Sequence, residues 1–269
     1  MRRRLFMTLG GSCLVCGCAG AVHRLPQVSS DNLSLAQSEV QRAGGPPQRR
    51  PVSDDEVTEI LTLALRRIRA PAGEVCREMA TGVCQWSFRL QRDRSLNASA
   101  GPNGVIVVNR GVVEYAANEE EVALVIAHEM GHQAANHLAA GRRNQVAGAV
   151  VGAIVLGALG AAASYGSANS ARVTRTAMEA GADIGGAIGR ISFSKEQERE
   201  ADYLAAVILY RSGVDLDNAR GFLVTMAKAS GQKETGMLDT HPAGPERIAS
   251  WDRAVEEIKA SNGRLPQRA

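Results

Sequence analysis

The pattern of apolar and polar positions divides the chain into segments of different character. Arg2, Arg3 and Arg4 precede an apolar, small-residue run from Leu5 to Gly17, a positive n-region followed by a short h-region. The run is too short for a membrane span and predicts an export signal over residues 1–17 that is removed on maturation. Residues 18–52 are polar and hold Gly44-Gly45-Pro46-Pro47 and Pro51, which predicts a flexible tether with little packed structure. Ser53-Asp54-Asp55-Glu56 then reads as a capping box, and Val57, Ile60, Leu61, Leu65 and Ile68 recur at helical spacing until Pro71. The folded domain is therefore expected over residues 53–262.

From Gln85 the apolar positions alternate as Trp86, Phe88 and Leu90, and Val105-Ile106-Val107-Val108 forms a second β run. These predict small strands of one sheet. An exposed edge there, near Asn97 and Ala98, could pair with an extended substrate through backbone hydrogen bonds; a purely structural hairpin fits the composition equally well. Asn118 followed by Glu119-Glu120-Glu121 predicts a helix start, and Val122 to Ala127 is apolar nearly all round, as in a helix buried in a core. Val146 to Tyr165 is a run of uncharged residues rich in Gly and Ala, with Gly148-x-x-x-Gly152, and Gly181, Gly185 and Gly189 repeat that spacing. Small residues at this interval let helices approach closely, so residues 146–190 are expected to form a helical hairpin packed over the active site or touching a membrane surface. Gly and Ala drive insertion far less than Leu or Phe, and a true span is the weaker alternative.

Composition changes the picture in two places. The 31 Lys and Arg against 28 Asp and Glu leave a formal charge of +3, which the three arginines of the export signal account for. A neutral mature protein with scattered basic residues gives no nucleic-acid footprint. The sequence Val15-Cys16-Gly17-Cys18 resembles the lipobox of bacterial lipoproteins, which makes Cys18 the expected lipidation site; ordinary cleavage between Ala19 and Ala21 is the alternative. Ala19 rather than Asp after that cysteine resembles sorting to the outer membrane. Cys76 and Cys84 are the only cysteines beyond Cys18, and in an oxidising compartment they can form a disulfide; two buried thiols would be the alternative.

The candidate chemistry gathers in His128-Glu129-Met130-Gly131-His132. A helix turns about 100° per residue, so the two histidines lie on one face and can each give a nitrogen to one metal ion, with Glu129 beside it as a base. Three of the chain's five histidines fall within His128–His137, which weighs against a chance match. A zinc hydrolase needs a third protein ligand and an open fourth position. His137 is five residues past His132 and would point about 140° away on a continuing helix. Glu198 and Asp202, in Ser194-Lys195-Glu196-Gln197-Glu198-Arg199-Glu200-Ala201-Asp202, share a helix face, so that one could bind metal and the other orient a ligating histidine. Glu196 and Glu200 also share a face, and spacing alone leaves both pairs open.

The order H-E-x-G-H, then E-x-E-A-D, then Thr240-His241-Pro242 with Arg247 downstream resembles the zinc metallopeptidase family of HtpX, BepA and LoiP, relatives of the CaaX prenyl endopeptidases. The resemblance covers about residues 54–259. It implies one Zn²⁺ per chain held by His128, His132 and Glu198, with Asp202 orienting a ligating histidine and Glu129 as general base. His241 would lie near the zinc, in some members able to occupy its open position, and Arg247 would face the site; either could stabilise an oxyanion. The lipobox and the Gly-rich stretch are most similar to the LoiP-type lipoproteins. After Trp251 only Val255 and Ile258 continue an apolar face, so no further domain is expected.

Together these readings imply an α+β protein, a mainly helical zincin-like domain with a small sheet whose edge strand flanks the active-site helix. Its expected function is that of a zinc endopeptidase cleaving misfolded or misassembled envelope proteins, lipid-anchored and facing the periplasm. The alternative is a latent or non-catalytic chaperone or assembly factor for outer-membrane proteins on the same fold.

Overall fold

The computed structural model describes residues 21–188, 193–229, 241 and 243–269. The export signal, Cys18, Gly189, Ser230–Gly236, Thr240 and Pro242 lie outside the described residues. Helix α2 (Asp54–Met79) opens the domain at Ser53, whose hydroxyl accepts the Glu56 N–H. Pro71 does not end this helix. The turn beyond it buries Ala72, Val75, Cys76 and Met79, and that burial offsets the roughly 3 kcal/mol cost of an interior proline. Cys76 is joined to Cys84, with Cα atoms 5.5 Å apart.

Strands β1 (Ser87–Gln91), β2 (Ala98–Ala100) and β3 (Val105–Asn109) form a mixed sheet in the order β1-β3-β2. β3 pairs parallel with β1 and antiparallel with β2, Ala98 opposite Val108. β2 is thus an edge strand, and it lies against α4 (Glu119–Ala134). Gln133 of α4 fixes the turn after β2, donating from Nε2 to the carbonyls of Gly101 and Val105. A short helix α3 (Arg110–Tyr115) leads from β3 to α4.

Helix α4 is the axis of the domain. Asn118 caps it by accepting the Glu121 N–H, and every residue from Glu121 to Ala134 is buried. It packs against α2, α7 (Lys195–Arg211) and α8 (Leu216–Ala229). α4 and α7 approach closely at Gly131, where a Cβ would stand 3.0 Å from the Ala201 carbonyl oxygen and 3.3 Å from its Cα. The glycine of the H-E-M-G-H run therefore sets the distance between the two helices that carry the candidate ligands. Helix α9 (Pro245–Ala260) closes the far side of α7.

Two segments depart from the rest. The stretch expected to be a flexible tether contains helix α1 (Ser30–Ala43), capped by a reciprocal Ser29–Asn32 box and packed on α8 and α9. Arg220 of α8 binds both oxygens of Glu39, at 2.6 and 2.7 Å, and also Asp252 of α9. Ala36 is buried, and polar composition alone did not reveal this one-residue-wide apolar seam. The second segment is the expected hairpin, α5 (His137–Ala163) and α6 (Ser170–Ile188), whose helices pack chiefly on each other. Gly160 faces Ala177 and Gly157 faces Met178 across that seam. α5 is long and apolar enough to cross a membrane by length and composition, with only 6% of its most apolar stretch buried.

Replacing Gly131 tests the α4–α7 spacing. Gly131→Ala gains helix propensity and meets only a tight contact, so its stability should stay within about 1 kcal/mol of wild type. Gly131→Val forces branched carbons against the Ala201 backbone and should cost about 1–3 kcal/mol in denaturant unfolding, with weaker metal binding.

Candidate metal centre

α4 and α7 cross with His128 and His132 facing Glu198, and α9 brings Arg247 in from the side. His128 Nδ1 donates to Asp202 Oδ1 at 2.8 Å, which aims its Nε2 into the site. His128 Nε2 and His132 Nε2 are 3.0 Å apart. Glu198 completes the group, with Oε2 at 3.4 Å from His128 Nε2 and Oε1 at 3.3 Å from His132 Nε2. His241 Nδ1 lies 3.2 Å from His128 Nε2 and 2.9 Å from Glu198 Oε1. Four ligand atoms, all from buried residues, thus lie within 4.8 Å of one another. Tetrahedral ligands at about 2.0–2.1 Å from one zinc ion are themselves separated by about 3.3 Å, so the donor set and its spacing fit such an ion.

The residues around this group hold it in place. Arg247 forks onto Asp202, Nε to Oδ2 at 2.8 Å and Nη2 to Oδ1 at 2.6 Å, and its Nη1 lies 3.2 Å from Glu198 Oε2. The guanidinium expected as a candidate oxyanion donor is therefore engaged with the two acids of α7. Phe193 stacks on the His132 ring at 3.8 Å between centroids. Glu129 is fully buried, and neither carboxylate oxygen finds a hydrogen-bond partner among the described residues; His241 Nε2 is 3.5 Å away. A buried, unsolvated carboxylate beside a histidine and acid cluster is placed for a ligand-borne proton rather than for packing.

The other acidic pair separates in space. Glu196 is exposed, whereas Glu200 is buried on another side of α7, bonded to His137 Nε2 at 2.9 Å and to His23 Nδ1 at 2.5 Å. Glu198 and Asp202 are therefore the pair that meets the histidines, and Glu200 was not assigned a role by sequence reasoning. Its signal was the position of His137, which meets His132 Nδ1 to Nδ1 at 2.9 Å despite the angular argument, because the chain kinks at Asn136 in a left-handed conformation. Asn97 and Ala98 lie where β2 begins. Ala98 is buried, the Asn97 carbonyl accepts the Asn109 N–H, and Asn97 Oδ1 is buried with no partner among the described residues. A cavity of about 330 Å³ opens beside Glu198 and Arg247, walled by Leu33 and Gln37 of α1.

Burial opposes charge throughout the cluster, and ion pairing overrides it at the acids. Glu198 is held well below the usual carboxylate range against its own desolvation by His241 and Arg247, and Asp202 is lowered against burial chiefly by Arg247. Desolvation drives His132 well below its ordinary value. His128 is desolvated too, but the hydrogen bond and charge of Asp202 prevail and raise it to about 9.

An H-E-x-x-H helix crossed by a second helix that contributes an acid, beside a small sheet whose edge strand lies against it, defines a zincin-type metallopeptidase fold. The chain belongs to peptidase family M48, which matches residues 65–255. It is 30% identical over 209 residues to a putative beta-barrel assembly-enhancing protease of Vibrio cholerae serotype O1, covering 76% of this chain and 40% of that one. It is 29% identical over 161 residues to the metalloprotease LoiP of Escherichia coli strain K12, 60% of this chain and 59% of that one. The mitochondrial metalloendopeptidase OMA1 of Arabidopsis thaliana is 29% identical over 60% of this chain and 30% of its own length. The chain spans 35–40% of the length of the beta-barrel assembly-enhancing proteases that it matches. Family and buried cluster together point to a bound metal ion.

The raised His128 gives this centre a pH signature. Below about pH 9 the metal-free His128 keeps a proton that a ligand must release, so each binding event expels it. Zinc affinity measured by chelator competition should rise about tenfold per pH unit from neutral pH and level off near pH 9. A flat profile would contradict that charge state.

Proposed function

We propose that the chain is a zinc metalloendopeptidase of the cell envelope that cleaves misfolded or misassembled envelope proteins. The observation that carries the reading is the meeting of His128 Nε2, His132 Nε2 and Glu198 at tetrahedral ligand spacing beside the Glu129 carboxylate, which has no hydrogen-bond partner among the described residues. A zinc ion bound there would polarise a peptide carbonyl and lower the pKa of water to about 7. Glu129 accepts the proton of the attacking water and hands it to the leaving amine. Asp202 holds His128 in the tautomer that presents Nε2, and Arg247 holds Asp202 and Glu198 against their mutual repulsion. The edge strand β2, beginning at Asn97 and Ala98, takes the substrate backbone as an added strand, which suits unfolded chains of varied sequence. Relatives named for beta-barrel assembly and the lipobox at Cys18 support the envelope location, with a lipid at Cys18 anchoring the protein at the outer membrane and the α5–α6 hairpin reaching the bilayer surface.

The full chain loaded with zinc should cleave casein, and Glu129→Gln should lower turnover by at least about a hundredfold while retaining metal. Retained turnover in that variant would remove Glu129 from the reaction. Persistent inactivity of the zinc-loaded wild type on casein and on unfolded β-barrel protein would favour the non-catalytic assembly factor instead.

His241 serves as a latch in this reading. Its Nδ1 sits at ligand spacing from His128 Nε2 and Glu198 Oε1, which suits occupation of the fourth metal position at rest. His241→Ala should then raise basal cleavage of an unfolded substrate. An oxyanion donor at His241 predicts the opposite sign, a loss of about a hundredfold or more, and that loss in a zinc-replete variant would refute the latch.

A further inference from the structure

Behind His132, on the side away from Glu198, a second buried cluster joins residues 22–26 and the C-terminal residues to the metal centre. The N-terminal segment at Val22–His23 runs antiparallel to the C-terminal residues: Ala269 N–H donates to the Val22 carbonyl at 2.9 Å, Arg24 N–H donates to Gln267 at 2.9 Å, and His23 bridges Arg268. Arg199 of α7 holds the same segment by donating to the Pro26 carbonyl at 2.5 Å. Glu200, beside Arg199, is fully buried and takes four contacts on its two oxygens. Oε2 accepts from Val22 N–H at 2.9 Å and from His137 Nε2 at 2.9 Å, while Oε1 accepts from His23 N–H at 3.0 Å and His23 Nδ1 at 2.5 Å. Three of the four therefore come from the N-terminal strap.

The geometry fixes a chain of tautomers. As a carboxylate Glu200 accepts all four of these bonds, so a neutral His137 presents N–H at Nε2 and a lone pair at Nδ1. That lone pair faces His132 Nδ1 at 2.9 Å and can only accept from it. His132 is then left with its lone pair at Nε2, the atom that meets His128 and Glu198. A ligating histidine held through its other nitrogen is oriented and made a better donor, and loss of such support typically costs about 10–100-fold in metal affinity.

We propose that Glu200 and His137 are positioning residues for His132, and that docking of the Val22–His23 strap on Glu200 sets the metal affinity of the site. The inference rests on the reading of His132 as a metal ligand. His128 has its own support in Asp202 and Arg247, so each histidine of the H-E-x-x-H pair is held by a separate acid of α7, Asp202 for the first and Glu200 for the second. Because the second support is completed by the Val22–His23 strap, a pull or displacement of that strap reaches the metal without passing through the substrate cleft.

The test uses the full chain. Zinc affinity is measured by chelator competition, ligand geometry by the visible absorption of the cobalt-loaded protein, and fold by thermal unfolding of the metal-free form. Glu200→Gln and His137→Leu should each weaken zinc binding by about 10–100-fold and shift the cobalt spectrum. His137→Gln, which keeps one donor and one acceptor, should recover most of the loss. His23→Ala should weaken binding several-fold in the wild-type chain but add nothing in the His137→Leu background, because the strap acts only through His137. Unchanged zinc affinity and cobalt spectrum in His137→Leu and His23→Ala, whatever happens to their unfolding temperature, would overturn the proposal and leave a structural cluster. Should Glu200→Gln not fold, those two variants still decide it. Failure of the wild-type chain to bind zinc would instead refute the metal assignment beneath it.

Discussion

The structure depends on a balance of buried charge. Three carboxylates, Glu129, Glu198 and Asp202, are enclosed in the core around one guanidinium, Arg247. An unpaired buried carboxylate is expensive, and one arginine cannot compensate three. A divalent cation among His128, His132 and Glu198 would close the balance, and the same acidic surroundings, Asp202 above all, raise His128 to about 9. The surrounding architecture serves this arrangement: α4 is buried along nearly its whole length, Gly131 lets α7 come close enough for Glu198 to reach the histidines, and α9 delivers Arg247 to the two acids of α7.

The same economy explains where the protein is rigid and where it presents surface. The centre is walled by helices, and its outer support reaches the Val22–His23 segment through Glu200. Against this core the α5–α6 hairpin is nearly bare, with Val146, Ile154 and Leu159 more than half exposed. It begins at His137, so the element that offers the most apolar surface is rooted in the residue that touches a candidate metal ligand.

Much of this was legible in the sequence because the relevant signals are local. The apolar run of α4, the i, i+4 pair His128 and His132, the Ser53 and Asn118 caps and the alternation at Phe88 are all written within a turn or two of helix or strand. The choice of Glu198 over Glu200 was not, since both pairs share a helix face and only the crossing of α4 and α7 distinguishes them. Helix α1 escaped for a related reason: its stabilising partners, Arg220 and the groove between α8 and α9, are far along the chain, while the Gly-Pro stretch beside it dominates the local pattern. Pro71 was read by its intrinsic cost without the long-range burial that offsets it. His137 was set aside on the assumption of a continuous helix, which the left-handed turn at Asn136 breaks.

The most direct test is crystallographic. Crystals of the full chain grown with zinc, with anomalous data collected on both sides of the zinc edge, should show one strong peak about 2.1 Å from His128 Nε2, His132 Nε2 and a Glu198 oxygen. A peak seated instead among His23, His137 and Glu200, or no peak at the His128–His132–Glu198 group in zinc-bearing crystals, would contradict the account.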